Sequence, residues 1–209
     1  MDSVSRGTWN FNKASPQKYC EALEKGMAKY TGSVDSADYL PDLNVVKETL
    51  AINYYGTVYA TNQFLTIIRS GGRLVNVASM VGTLDKYSST IRNRFLSAKS
   101  EDDIIQLMRD FEASVAAGKE KQDGWPSAAY AVSKAGLIGA TKAIAERQKS
   151  KDKSVLINAC CPGFVNTDMT KGRGHKTPDE GAKTPVLLAL ADIAGQTGFF
   201  WQSEKPIEW

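Results

Sequence analysis

Two side chains that can do acid–base chemistry, Tyr130 and Lys134, are four residues apart in the segment Tyr-Ala-Val-Ser-Lys. This spacing places both on one face of a helix, and Leu137, Thr141 and Ile144 continue the same stripe. Lowering a tyrosine pKa from about 10 to about 7 takes roughly 4 kcal/mol. One ammonium at ~4 Å supplies about that much at an effective dielectric of ~20. The spacing therefore predicts a tyrosine whose pKa is lowered until it exchanges a proton near neutral pH.

Three further motifs accompany this pair. Ser79 ends the apolar run Val-Asn-Val-Ala, which is typical of a buried strand, and Asn53 lies inside a long predicted helix. Pro162-Gly163 directly follows a second apolar strand. Because ligands bind beyond the carboxyl ends of the strands in open α/β sheets, Ser79 and Pro162-Gly163 are predicted to border a ligand site. Each motif alone also has a structural explanation, as a strand end, a helix kink, a turn, or a half-buried tyrosine beside a lysine.

The alternation of strands and helices predicts an α/β fold with a mostly parallel sheet. Helices are predicted over 15–30, 43–69, 100–117, 125–148 and 177–191, and strands over 73–79, 155–160 and 198–201. Ser100 with Asp103, and Thr177 with Glu180, resemble capping boxes at two helix starts. The two longer strands are continuous apolar runs, as expected when helices cover both faces of a sheet.

Composition narrows the class of protein. The 209 residues carry 26 Lys and Arg against 23 Asp and Glu without a basic block, so we expect no nucleic-acid partner. No apolar run approaches the ~18 residues of a membrane span, and Met1–Arg6 lacks the apolar core of a signal peptide. The odd count of three cysteines, two of them adjacent at Cys160 and Cys161, predicts free thiols and a cytoplasmic location. These two are a poor metal pair, and we expect no metal site and a surface role for His175.

Taken in order, the motifs resemble the short-chain dehydrogenase/reductase family. The matching positions are Asn53, Ser79, Tyr130, Lys134, Pro162-Gly163 and Thr167. Ser79 and Tyr130 are 51 positions apart, which is longer than in ordinary members and indicates a helical insert at about 80–125. That insert, the run Asn-Ala-Cys-Cys-Pro-Gly-Phe-Val-Asn-Thr-Asp-Met and the tail Trp-Gln-Ser-Glu-Lys-Pro-Ile-Glu-Trp resemble the carbonyl reductase [NADPH] branch. The resemblance covers about residues 42–209.

The resemblance implies a Rossmann-like, doubly wound parallel sheet and NADPH-dependent reduction of carbonyl compounds, which are ketones, aldehydes or quinones. It implies that Tyr130 donates the proton, and that Lys134 lowers the Tyr130 pKa and holds the nicotinamide ribose. Ser79 would orient the substrate carbonyl, and Asn53 would position a water behind Lys134. The residues that would line the cofactor are Pro162, Gly163, Val165 and Thr167. The insert would cover the surface formed by the Asn53 and Tyr130 helices and keep the protein monomeric.

One part of the family pattern has no counterpart in the 209 residues. The family opens with a β-α-β-α-β unit carrying a Thr-Gly-x-x-x-Gly-x-Gly loop, whereas Thr31-Gly32 is not followed by the later glycines. We therefore expect an N-terminally truncated sheet with an open apolar edge that favours association. We also expect an atypical segment over 1–40, a reductase segment over 41–209, and weak or no binding of NADPH. The competing hypothesis is a catalytically inactive remnant that acts as a binding or interaction protein, or a truncated gene model.

Overall fold

The computed structural model describes residues 42–209, so the helix predicted over 15–30 and the segment 1–40 lie outside the described residues. In chain order the main elements are α1 (Leu43–Leu50), a π-helical segment (Ala51–Gly56), α2 (Thr57–Leu65), β1 (Arg73–Val77), α3 (Ser89–Ser97), α4 (Glu101–Ala116), α5 (Ala129–Lys149), β2 (Leu156–Cys161), α6 (Pro178–Leu190), β3 (Phe200–Gln202) and β4 (Lys205–Ile207). Short 3₁₀ helices cover Met80–Gly82, Leu84–Lys86 and Asp168–Thr170.

The four strands form one sheet in the order β1-β2-β3-β4. Strands β1, β2 and β3 are parallel, which confirms the predicted mostly parallel α/β sheet, and β4 is antiparallel to β3. Strand β4 was not predicted. Its hairpin turns through Ser203 and Glu204, whose φ angles of 48° and 63° are positive. Such a turn usually contains Asn or Gly, so the sequence carries no recognisable signal for it.

Helices cover both faces of the sheet. Toward α5, Ala78, Ala159 and Cys161 pack with Leu137 and Ile138. On the opposite face, Leu156 and Cys160 pack with Leu188 of α6, together with Ile193 and Trp201. Successive strand residues point to opposite faces, so a strand buried on both sides must be apolar throughout. The layering is the doubly wound arrangement that the apolar strands predicted.

A buried polar chain fixes β1 against two helices. The Asn76 side chain accepts a hydrogen bond from the Thr61 hydroxyl of α2 at 3.2 Å and donates one to the Thr141 hydroxyl of α5 at 2.9 Å. All three side chains are buried, so removing any of them would leave a polar group without its partner. Because Asn76 lies three residues before Ser79, this chain sets where the end of β1 meets α5.

The chain between β1 and α5 contributes to the main core. The residues Ile104, Leu107, Met108 and Phe111 of α4 share one apolar cluster with Val46 and Leu50 of α1 and Ile144 of α5. The predicted capping box at the start of α4 is confirmed, since Asp103 N donates to the Ser100 hydroxyl at 3.2 Å and Ser100 N donates to the Asp103 carboxylate at 2.9 Å. Helix α4 therefore packs on α1 and α5 as an integral layer.

Two helix boundaries differ from the predictions. The helix predicted to begin at Trp125-Pro126-Ser127 begins at Ala129, because the Ser127 hydroxyl donates to the Glu120 carboxylate at 3.1 Å instead of capping a helix. The helix predicted to run to Arg69 ends at Leu65 and is interrupted by the π-helical segment.

The packing of α4 predicts that two Phe→Ala variants differ strongly in their free energy of unfolding. Phe111 is fully buried, so we expect Phe111→Ala to lower the free energy of unfolding by about 3–5 kcal/mol. Phe64 is 60% exposed, so Phe64→Ala should change it by less than about 0.5 kcal/mol. Urea unfolding followed by circular dichroism measures both. Similar small losses in the two variants would show that α4 is not part of the core.

Candidate active site

Tyr130 and Lys134 lie one above the other at the start of α5. Tyr130 is the second residue of the helix, and the Lys134 ammonium lies 5.5 Å from the centroid of its ring. The structure thus brings together the two residues whose spacing predicted a shared helix face.

The Lys134 ammonium is held by the end of β1. It donates a hydrogen bond to the backbone carbonyl of Val77, with the two atoms 3.0 Å apart. Burial lowers the pKa of Lys134 from its ordinary value of 10.5 to about 8, while the nearby cysteines Cys161 and Cys160 act in the opposite direction. The Val77 carbonyl was not among the predicted site groups, because a backbone oxygen carries no signal in the sequence.

Ser79 faces the tyrosine from the end of β1. It precedes the 3₁₀ turn Met80–Gly82, and its hydroxyl accepts a hydrogen bond from Val81 N at 3.4 Å. The Ser79 hydroxyl also lies close enough to the Tyr130 phenol to lower its pKa. Two hydroxyl groups from different elements therefore meet where a carbonyl oxygen could accept a hydrogen bond from each.

The pKa of Tyr130 is raised above its ordinary value, and the expected lowering is wrong for this arrangement. The largest cause is burial of the phenol, the Ser79 hydroxyl acts in the opposite direction, and the neighbouring Cys161 raises the pKa further. The ammonium expected to lower it is bonded to the Val77 carbonyl. Tyr130 is consequently a protonated phenol at neutral pH.

Asn53 reaches the site indirectly. It lies in the π-helical segment, and its side-chain amide donates to the Ser133 hydroxyl at 3.2 Å. Ser133 is fully buried and donates in turn to the backbone carbonyl of Tyr130 at 2.7 Å. Ser133 was missed by the sequence analysis, although it stands three residues after Tyr130 in the same motif. Asn53 is thus tied to the backbone of the tyrosine rather than placed directly against Lys134.

The turn after β2 forms an open cradle beside these residues. Gly163 has a φ of 90°, which disfavours a side chain, and its N–H donates to the Cys161 sulfur at 3.3 Å. A Cβ on Gly163 would approach the Lys176 ammonium to 2.8 Å, and that ammonium is 3.4 Å from the Pro162 carbonyl. The long side chain of Lys176, rather than a rigid wall, therefore borders the cradle.

Val165 and Thr167 continue the same loop. Val165 forms a parallel bridge with Lys176, and its carbonyl accepts a hydrogen bond from the Thr170 hydroxyl at 2.7 Å. Thr167 begins the 3₁₀ helix Asp168–Thr170. The four residues predicted to line a cofactor thus occupy one loop braced by the segment around Lys176.

These groups suit the nicotinamide end of a dinucleotide. Lys134 and Tyr130 offer an ammonium and a hydroxyl to a ribose, and the flexible Lys176 side chain fills the space next to the Gly163 backbone. Residues 42–209 contain no group of three potential metal-ligating side chains, and no helix of this part is long and apolar enough to cross a bilayer. Cys160 is buried, and burial raises the pKa of its thiol to about 12.

Comparison with known families indicates the class. The family model described as short chain dehydrogenase matches residues 112–178, which include Tyr130, Lys134 and the loop at 162–167. In this segment the chain is similar to the short-chain dehydrogenase/reductase family.

The chain is also similar to carbonyl reductases. It is 36% identical over 182 residues to carbonyl reductase [NADPH] 1 of Bos taurus, covering 83% of this chain and 65% of the relative. It is 35% identical over 180 residues to carbonyl reductase [NADPH] 1 of Homo sapiens, with the same coverage of 83% and 65%. The chain thus spans about 65% of the length of these relatives.

Solved structures agree with the fold. Salutaridine reductase from Papaver somniferum is 26% identical and superposes with a TM-score of 0.70, covering 90% of this chain and 68% of that one. Menthone neomenthol reductase from Mentha piperita is 25% identical with a TM-score of 0.60, covering 88% and 62%. The predicted Rossmann-like, doubly wound sheet is confirmed.

The lowered pKa of Lys134 predicts a pH dependence of stability. Between about pH 8 and 10.5 the unfolded chain keeps the Lys134 proton while the folded chain has lost it. The unfolded state then binds more protons, so stability rises with pH across this window, and below it both states are protonated. We expect the wild-type protein to gain stability relative to Lys134→Met as the pH is raised from 8 to 10, measured by urea unfolding at each pH.

Lys153→Met changes an exposed lysine and is the matched control. Its free energy of unfolding should differ from that of the wild type by the same amount at every pH. A constant difference for Lys134→Met as well would contradict the lowered pKa.

Proposed function

We propose that the chain contributes the catalytic and substrate-binding part of an NADPH-dependent reductase of carbonyl compounds, which are ketones, aldehydes or quinones. The observation that carries this proposal is the pairing of the Ser79 and Tyr130 hydroxyls, with Lys134 one helical turn away. Both hydroxyls can donate hydrogen bonds to one carbonyl oxygen, which polarises the carbonyl carbon for attack. The carbonyl reductases similar to this chain support the reaction class.

The raised pKa of Tyr130 fits a proton donor in the direction of reduction. A phenol that stays protonated at neutral pH has a proton to give when negative charge develops on the substrate oxygen. Bound NADPH supplies the hydride to the carbonyl carbon. Ser79 holds the carbonyl oxygen at the Tyr130 hydroxyl, so the proton moves along a bond that is already formed.

Lys134 restores the proton in this proposal. Because burial brings its pKa to about 8, the amine is near the pH at which it can both hold and release a proton. Lys134 would also bind the nicotinamide ribose, and Asn53 would support the relay through a water. The Asn53 amide is bonded to Ser133, which favours a role in holding the Tyr130 backbone as part of that support.

The cofactor would lie along the loop after β2. Pro162 and Gly163 would face the nicotinamide, and Val165 and Thr167 would extend the contact toward the pyrophosphate. The support is the turn at Gly163, which has a φ of 90° and is bordered by the flexible Lys176 side chain, and the bracing of Val165 by Thr170.

Exposed apolar side chains in the segments that carry the proposed site residues favour an apolar carbonyl substrate. Val81 follows Ser79 by two residues, Phe164 follows Gly163, and Met169 lies in the next turn; all three are exposed. Apolar groups at the mouth of a site with a few convergent polar groups are typical of small-molecule sites.

The covering of α1 and α5 by α4 supports a monomeric protein. In ordinary family members the equivalent pair of helices forms the subunit interface, whereas Met108 and Phe111 of α4 fill this face with apolar side chains. A cytoplasmic location is part of the proposal, and the free thiols of Cys160 and Cys161 in β2 support a reducing compartment.

Replacing the proposed proton donor should abolish turnover. We expect Tyr130→Phe to lower the rate of quinone or ketone reduction by at least about 100-fold, because only the acidic proton is removed. The measurement is NADPH oxidation by a chimera in which residues 42–209 are joined to the nucleotide-binding part of a carbonyl reductase, since the 209-residue chain is expected to bind NADPH weakly or not at all.

Tyr87→Phe is the matched control. The Tyr87 hydroxyl is buried without a hydrogen-bond partner in the described part of the chain, so its loss should leave the rate within about twofold. Turnover of Tyr130→Phe within about tenfold of the parent chimera, or no turnover by the parent chimera, would contradict the proposal.

The covered helix face predicts the mass in solution. A chimera that joins residues 42–209 to the nucleotide-binding part of a carbonyl reductase should show the mass of one chain in light scattering. The 209-residue chain is measured for comparison. If it associates while the chimera remains a monomer, the associating surface is the edge of β1 and not the face of α1 and α5. A stable tetramer of the chimera would contradict the proposed monomer.

A further inference from the structure

Trp209 lies where the two halves of the core meet. It packs against the cluster that contains α4 and α1 and also against the cluster between α5 and the sheet. Its ring centroid is 5.6 Å from that of Phe95 in α3, edge to face, and 4.9 Å from the Lys142 ammonium of α5. A Cβ on Gly139 would come within 3.0 Å of the indole, so the ring lies flush against α5 at this glycine.

The indole also makes one directed contact. Its N–H donates a hydrogen bond to the backbone carbonyl of Gly82 at 3.0 Å. Gly82 is buried against α5, since a Cβ there would lie 2.7 Å from the Lys134 carbonyl carbon and 2.8 Å from Ala135 N. The contact therefore holds a backbone segment that fits closely against the helix turn carrying Lys134.

Gly82 connects this contact to the serine of the site. Its N–H donates to the Ser79 carbonyl at 3.0 Å, which closes the 3₁₀ turn that follows Ser79. A turn of three residues has few hydrogen bonds of its own and depends on its surroundings for its position. The contacts thus run from Trp209 through Gly82 to Ser79, whose hydroxyl is near enough to the Tyr130 phenol to lower its pKa.

We propose that Trp209 is a positioning residue for Ser79: its indole N–H clamps the Ser79–Gly82 turn onto α5 and so aligns the Ser79 and Tyr130 hydroxyls. The role assigned to that alignment rests on the proposed function, whereas the clamp itself does not. Removing the donor while keeping an aromatic ring should loosen the turn and leave the rest of the fold intact.

The chain offers a matched control in Trp201. Its side chain is buried between β2 and α6, and its N–H finds no hydrogen-bond partner within residues 42–209. Trp201→Phe and Trp209→Phe are the same chemical change at a buried and a half-buried tryptophan, but only the second removes a hydrogen bond of the turn.

The first measurement is amide hydrogen exchange of Gly82 and Thr83, whose N–H groups close the turn. We expect exchange at both amides to be about fivefold faster in Trp209→Phe and unchanged in Trp201→Phe, with the amides in the middle of α5 as the internal reference. Equal effects of the two variants, or a uniform increase across α5, would overturn the proposal by showing only general destabilisation.

The second measurement reads the alignment of the hydroxyls directly. Protein labelled with ¹³C at the phenol carbon of tyrosine gives a Tyr130 resonance at neutral pH that is assigned by its loss in Tyr130→Phe. We expect Ser79→Ala and Trp209→Phe to displace this resonance in the same direction, and the double variant to match Ser79→Ala. Trp201→Phe should leave it in place. A Tyr130 resonance unaffected by Trp209→Phe, or additive shifts in the double variant, would contradict the proposal.

Neither readout depends on turnover. If the chimera fails to reduce carbonyl compounds but both readouts respond as expected, the proposed function fails and the clamp stands. If turnover is present and the readouts do not respond, the clamp fails and the proposed function stands.

Discussion

The site depends on how closely α5 is docked against the end of β1. Three contacts set this docking: Asn76 is bonded to Thr141, the Lys134 ammonium is bonded to the Val77 carbonyl, and Gly82 leaves no space for a Cβ against Lys134. The first is a buried polar chain, which is costly to break because each group would lose its partner without gaining water. With the helix held in this register, the hydroxyls of Ser79 and Tyr130 meet without further adjustment.

Burial, rather than charge pairing, governs protonation in this site. The same desolvation raises the pKa of Tyr130 and lowers that of Lys134 to about 8, because in each case the neutral form is favoured away from water. The lysine satisfies its ammonium on a backbone carbonyl and so exerts little influence on the phenol. A protonated tyrosine beside a readily deprotonated lysine is suited to donating a proton and then recovering it, which agrees with reduction as the proposed direction.

The segment between β1 and α5 packs both on the face of α1 and α5 and near the site. Its helix α4 fills the apolar face of α1 and α5, and the preceding α3 places Phe95 against Trp209, which is bonded to the turn after Ser79. Packing that covers a helix face thus also supports the backbone that carries a site residue.

The spacing of neighbouring residues determined much of the local structure of this protein. The shared helix face of Tyr130 and Lys134, the capping box at Ser100 and the buried strand β2 each follow from neighbours within a few residues, and each prediction is confirmed. Strand β1 was predicted to be buried, but it is half-buried and Val77 is 49% exposed. Only the tertiary structure decided the direction of the Tyr130 pKa, the acceptor for Lys134, the bond between Asn53 and Ser133, and strand β4. Those features depend on residues far apart in the chain, on how deeply a group is buried, and on backbone carbonyls, none of which residue types and their spacing encode.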